Sequence, residues 1–307
     1  MKIYLGRTWL FIIFISLTNT LCFSLSATNK TGKSPQHPKV YTSLGADDTT
    51  TNRINKICHN NVVNINVETN TNSLTYNVAL LSKKIISQIP NKESTDIVVL
   101  DWEGDALSVL SEKDPDSDDY KKVSEQFISA YNLVKSLRPN ATCGFYGLPI
   151  RAYWKRNNAW IQHCTNLSTI LSHFDALFPS LYIPYKDNVD VKESDNLSYI
   201  SDNVNMALKL GFELKKPVYF YIWHRYHDSN SKYGLDLIPE NYFRDHVKAI
   251  SLSSYNGKKT DGIIWWSAEC YFNNILTKKK NNIELKNYKF SDTNTLLRYL
   301  QIINKNL

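Results

Sequence analysis

Hydrophobic and polar positions follow two regimes along this chain. Short runs of β-branched and apolar residues, bounded by Gly, Pro, Asn or Asp, predict strands over 39–44, Val62–Val67, Asp96–Asp101, Cys143–Leu148, Ala176–Tyr182, Pro217–Trp223 and Gly262–Trp266. Between them the apolar spacing lengthens to the helical period. It predicts helices over Tyr76–Ile89, Tyr120–Leu137, Asn158–His173, Tyr199–Leu210, Pro239–Leu252 and Thr295–Asn304. Ile97-Val98-Val99-Leu100 and Gly262-Ile263-Ile264-Trp265-Trp266 are almost continuously apolar, as parallel strands covered on both faces require. Strand and helix alternating in this way predict an α/β fold, a distorted (β/α) TIM-type barrel of about seven strands. The stretch between Asp101 and Tyr120, with Asp114, Asp116, Asp118 and Asp119, reads as a long acidic surface loop. No glycine-rich phosphate loop follows any strand, which counts against nucleotide binding.

The amino terminus has its own pattern. Lys2 and Arg7 precede an apolar run from Thr8 to Leu17, and small or polar residues follow around Cys22–Ala27. A charged start, a short apolar stretch and a cleavage zone read as a secretory signal peptide over 1–26. The run is shorter than the roughly 20 residues a membrane span needs. A polar lead-in with Pro35 and Pro38 follows over 27–38, and the barrel domain is expected over 39–307. These expectations put the protein outside the cell, or in a lysosome or secretory vesicle, as a monomer with no stable membrane span. Sequons at Asn29, Asn140, Asn166 and Asn196 fit such a route as glycosylation candidates.

Composition changes the picture only slightly. With 42% apolar and 12% aromatic positions, the 307-residue chain has ample material for a core, so disorder is excluded. The net charge of +7 falls to +5 once Lys2 and Arg7 leave with the signal. That is compatible with an acidic partner but is no nucleic-acid signature, and none is expected. Cys58, Cys143, Cys164 and Cys270 would remain in the mature chain, and four cysteines allow three pairings. Metal-ligand spacing is absent, so neither a metal nor another cofactor is expected.

In a barrel of this type, chemistry sits at the carboxyl ends of the strands. The third strand ends in Asp101-Trp102-Glu103, and residues two apart on a strand face one side. Two neighbouring carboxylates in a dry site cannot easily both ionise, so one keeps its proton as an acid while the other stays anionic. Glycosidic bond cleavage uses that division. Later strand ends add Tyr182, the run Tyr219–Tyr226, and Trp265-Trp266, whose rings suit the apolar faces of sugars. His59, His163, His173, His224 and His227 stand in no nucleophile motif and are assigned no catalytic role.

These residues resemble the hyaluronidase family of glycoside hydrolases. Asp101-Trp102-Glu103 is similar to the family's D-x-E motif, and Arg138-Pro139 with Gly144-Phe145-Tyr146-Gly147-Leu148-Pro149 to its R-P…W-G-Y-Y-x-x-P strand. Pro179-Ser180-Leu181-Tyr182 resembles P-S-[IV]-Y, and Tyr226-His227-Asp228 resembles Y-x-D. Asp261–Ser267 resembles the family's last strand, and the blocks keep the family's order over roughly 96–272. The resemblance implies a metal-free endo-hydrolase of hyaluronan, or of chondroitin-type glycosaminoglycan. Glu103 would be the proton donor and Asp101 would orient the substrate's N-acetyl group, whose carbonyl oxygen attacks the anomeric carbon. Tyr146, Tyr182, Tyr226 and Trp266 would hold the sugar.

The resemblance also implies a long-range disulfide joining Cys58 to Cys270, with Cys143 and Cys164 then pairing across the loop after the fourth strand. One departure stands out. The family continues its motif as W-E-x-W-R-P, whereas Gly104-Asp105-Ala106 follow here, so a mouth arginine that would hold the acid and the anionic glycan is missing. Two other readings therefore stay open: a glycan-binding protein without turnover, and a barrel glycosidase for another N-acetylated glycan such as chitin or peptidoglycan fragments.

Overall fold

Alternation within the strands sorts their side chains into two layers. In β3 (Ile97–Asp101), Val98 and Leu100 pack outward against helices, while Ile97 and Val99 join an inner cluster with Phe178, Tyr182, Tyr221, Trp223 and Ile264. The same rule divides β6 (Gly262–Ser267), where Ile263 and Trp265 face out and Ile264 and Trp266 face in. The inner face is thus aromatic, and the outer face is aliphatic and helix-covered.

The computed structural model describes residues 38–58, 62–70, 74–278 and 289–307, with the backbone alone at 275–278. In chain order the remaining elements are β1 (Lys39–Leu44), α1 (Asp48–Cys58), β2 (Val62–Asn66), α2 (Val78–Gln88), α3 (Asp105–Glu112), α4 (Asp118–Leu137), β4 (Thr142–Phe145), α5 (Asn158–Asn166), α6 (Ser168–Leu171), α7 (Glu193–Glu213), β5 (Tyr219–Ile222), α8 (Glu240–Leu252), α9 (Glu269–Lys278) and α10 (Thr293–Asn306). Every ladder is parallel, in two three-stranded sheets ordered β1-β6-β5 and β2-β3-β4. The expected signal peptide, nearly all of the lead-in and Asn29 lie outside the described residues. Among the described residues, no helix is long and apolar enough to cross a membrane.

The strand expected over Ala176–Tyr182 exists only as isolated parallel bridges, to Tyr146 on one side and to Val218 and Tyr221 on the other. Pro179, in its middle, has no N–H to donate, which interrupts the ladder. The segment still stitches β4 to β5, for Leu181 N donates to Tyr221 O at 2.9 Å and Gly147 N to Phe178 O at 2.9 Å. Gly144 permits this approach, since a Cβ there would stand 2.5 Å from Ala176 O.

Among the described residues the barrel does not close. Between β1 and β2 no ladder is present among the described residues, and polar side chains occupy the seam instead. Asn64 Nδ2 donates to Ser43 Oγ across it, beside a groove of about 580 Å³ lined by Thr42, Ser43, Asn55, Val62, Val63 and Gln88 among others.

Three helices, α1, α3 and α9, replace expected irregular chain. In α3, within the supposed acidic loop, Ala106 and Leu110 fall one turn apart and bury against α4. Gly104 turns the chain into it at φ 70° and ψ −139°, a conformation open essentially to glycine alone. In α1 only Thr50, Ile54 and Cys58 are buried, a stripe too sparse and polar to signal a helix.

The cysteine pairings are corrected as well. No disulfide joins Cys58 to Cys270 or Cys143 to Cys164. Cys58 lines a cavity with Pro38, Lys39 and Val40 at the start of β1, whereas Cys270 N donates to Gly45 O just past the end of β1. The length of a six-residue strand, about 20 Å, therefore separates them. Cys164 instead turns its thiol to Ile150 O at 3.6 Å, and burial raises the Cys143 and Cys164 thiols well above the ordinary range.

Candidate active site

Trp102 aims the two carboxylates. Only 2% exposed, it stacks on Phe127 of α4 (4.7 Å between ring centres, 8° between planes) and meets Tyr76 edge-on. With the indole held in the outer layer, alternation sends Asp101 and Glu103 to the inner side. Both line one pocket of about 220 Å³, together with Asn64, Tyr146, Tyr182, Tyr221, Trp223, His227, Asp228 and Trp266.

The walls are interlocked rings. Trp223 and Trp266 meet edge-on at 4.8 Å, and Tyr182 lies 5.7 Å from each of them. Tyr146 contacts Tyr221 edge-on at 5.1 Å, and its hydroxyl donates to Ser180 Oγ at 3.1 Å. Tyr221 in turn donates to Asn64 Oδ1. Burial raises all three phenols, Tyr146, Tyr182 and Tyr221, so they stay protonated donors throughout the physiological range.

Burial also dominates the carboxylates. It raises Asp101 to about 6, and the Glu103 charge adds to the shift. Burial raises Glu103 too, opposed by the Arg151 charge and assisted by Asp228. The pair therefore retains a proton at a pH where an ordinary carboxyl pair has lost both. Asp101 Oδ1 is buried without a hydrogen-bond partner, as is the Trp223 indole N–H on another wall of the pocket. Such orphans are uncommon in a finished core and are expected where a ligand completes the bonding.

Three of the four expected sugar-holding aromatics, Tyr146, Tyr182 and Trp266, are brought together here. Tyr226 is not. It is 0% exposed and sits in the outer cluster, where its hydroxyl donates to Asp187 Oδ2 at 2.8 Å. Past the end of β5 the chain no longer alternates as a strand, so Tyr226 turns outward while His227 and Asp228 reach the pocket. His227, set aside in the sequence, is thus a pocket residue. Burial first, with the Arg151 charge adding, lowers its imidazole to about 4, leaving it neutral at physiological pH.

Sequence reasoning also missed Asn64, a polar interruption of β2, and Arg151. The Arg151 guanidinium donates to Ser180 Oγ and lies 5.6 Å from the centre of the Tyr182 ring. Its position two residues beyond Pro149, at a strand end, was the signal available. Arg138, part of the R-P block, is remote from the pocket. Buried, it donates to Ile89 O at 2.6 Å, the carbonyl just past α2, and to Leu137 O at 2.6 Å, the last carbonyl of α4.

Of the sequons, Asn140 is exposed and Asn166 is half-buried, but Asn196 is an internal strut. It is 0% exposed, donates to Tyr185 O at 3.0 Å and Asp187 Oδ1 at 2.8 Å, and accepts from Tyr153 Oη at 2.8 Å. A glycan on that nitrogen would break the strut, so Asn196 is withdrawn as a glycosylation site.

No protein-family model and no curated protein sequence matches the chain. Solved structures match it in fold. Bee venom hyaluronidase aligns at a TM-score of 0.57 and 14% identity, over 80% of this chain and 99% of that one. A structure of bee venom hyaluronidase in complex with a hyaluronic acid tetramer aligns at 0.56 and 16%, over 82% and 99%. The likeness establishes a hyaluronidase-like, glycosidase-type α/β fold.

Proposed function

We propose that the protein is a secreted endo-β-N-acetylhexosaminidase that hydrolyses hyaluronan or chondroitin-type glycosaminoglycan with retention at the anomeric carbon. The observation that carries this reading is the orphan Asp101 carboxylate oxygen beside Glu103, in a pocket walled largely by rings. A sugar's acetamido N–H would satisfy that oxygen, and the rings would take its apolar faces.

Glu103, protonated, gives its proton to the glycosidic oxygen as the acetamido carbonyl oxygen bonds to the anomeric carbon and the leaving sugar departs. Asp101 accepts from the acetamido N–H, orienting the attack and balancing the positive charge that grows on the ring so formed. Glu103, now anionic, takes a proton from water as the water oxygen attacks the same carbon, which opens the ring and restores the acetamide. Two inversions give retention. The phenols and His227 are neutral, so the other charges acting on Glu103 are those of Arg151 and Asp228.

The test is incubation with hyaluronan, chondroitin and chito-oligosaccharides, with the first-formed anomer read by proton NMR. Cleavage of an N-acetylated glycosaminoglycan to a β-configured reducing end is expected. An α-configured first product, or cleavage of none of the three, would overturn the reading.

A further inference from the structure

The segment following β4, Arg151-Ala152-Tyr153-Trp154, is held more firmly than a surface loop requires. Both backbone groups of Ala152 are bonded to the Asn203 side chain of α7, each at 2.9 Å. Tyr153 stacks on Tyr199 at 4.8 Å and donates to Asn196 at 2.8 Å. Trp154 is nevertheless 56% exposed, with its indole N–H donating to Tyr185 Oη at 3.0 Å. An exposed indole fixed by hydrogen bonding on a braced loop is a preorganised flat surface, with little left to order on binding.

Arg151, at the inner end of the segment, has no carboxylate partner among the described ion pairs. Its guanidinium rests on neutral groups, the Ser180 hydroxyl and the Tyr182 ring, and its charge is felt by Glu103 and His227. Behind the pocket wall, the buried Tyr199 hydroxyl donates to the Tyr182 backbone carbonyl at 3.1 Å, Tyr199 stacks on Tyr153, and Tyr153 packs at 4.6 Å against both Trp154 and Tyr185, so the segment is braced against the same wall that carries Tyr182.

We infer that Arg151 and the Trp154–Tyr185 pair form an extended subsite for an acidic oligosaccharide, leading out of the pocket along residues 151–154. Arg151 takes a uronate carboxylate next to the cleaved linkage. Trp154 stacks a sugar ring farther along the chain. The arginine missing after Glu103 is thus replaced from a different strand end. The inference rests on reading the pocket as a glycan cleft, but it concerns binding and needs no turnover.

Calorimetry with the Glu103→Gln protein would measure binding of hyaluronan tetra- and octasaccharides and of a neutral chito-oligosaccharide. Adding Arg151→Gln should weaken both hyaluronan oligomers by about tenfold or more and the neutral one by less than about twofold. Arg151→Lys should recover a large part of that loss. Trp154→Ala should weaken the octasaccharide by about tenfold and the tetrasaccharide far less.

Equal weakening of acidic and neutral ligands by Arg151→Gln, no length-dependent loss in Trp154→Ala, or no binding of any oligosaccharide would overturn the subsite. If wild type cleaves hyaluronan while these differences are absent, the subsite fails and the proposed function stands. If it cleaves nothing while they are present, the reverse holds.

Discussion

Two clusters of charge lie at strand ends, and they are built in opposite ways. Around Glu269 every demand is met. Arg225 donates to it through Nε and Nη2 at 2.9 Å each, and His224, Ser267 Oγ and Ser291 N complete the shell. Despite its burial, hydrogen bonds from His224 and Arg225 and the Arg225 charge hold Glu269 well below the ordinary carboxylate range. The Asp101–Glu103 pocket has the same raw material but no such shell, and both carboxylates are raised. Glu269 is fully buried and fully compensated, whereas Asp101 is half-buried and Glu103 is exposed, without such partners; that difference separates a brace from a candidate reactive site.

Breaking the brace should have the largest effect on folding. Arg225→Leu leaves Glu269 buried without its main partner and should cost about 3–5 kcal/mol in denaturant unfolding. A loss below about 1 kcal/mol would mean that the cluster is dispensable.

The pocket should respond with the opposite sign. Asp101→Asn removes a carboxylate that the fold disfavours, and should raise stability by about 1–2 kcal/mol at pH 7, after allowance for partial exposure. Because the folded carboxyl is raised to about 6, the folded state binds the extra proton between about pH 4 and 6. The wild-type contribution is therefore favourable below that window and is lost as pH rises through it, so the two proteins should converge near pH 4. Activity should fall in the same variant. A destabilised Asp101→Asn protein at pH 7 would break the contrast.

A smaller test concerns a third cluster, where Asn196, Tyr226 and His246 surround Asp187 and bond to its carboxylate. Peptide mass spectrometry of the protein expressed through a eukaryotic secretory pathway should find Asn196 without glycan. Quantitative occupancy there would contradict the internal strut.

The sequence carried the Asp101–Trp102–Glu103 geometry because strand alternation is strictly local, and a buried Trp102 enforces it. It misled at Tyr226, which lies beyond the strand and answers instead to Asp187. Arg151 was invisible because its role depends on Ser180 and Tyr182, brought near only by the tertiary fold. The barrel order was legible from continuous apolar runs. The open seam was not, because it turns on a side-chain bond between Ser43 and Asn64 that no periodicity encodes. Asp-rich composition hid α3, whose buried face is only Ala106 and Leu110.

The central claim is that Glu103 is the acid of a glycosidase. Reducing ends released from hyaluronan by wild type and by Glu103→Gln, at matched concentration and equal thermal stability, test it most directly. The account predicts cleavage by wild type and a loss on the order of 100-fold or more in the variant. Equal rates in the two proteins would contradict it.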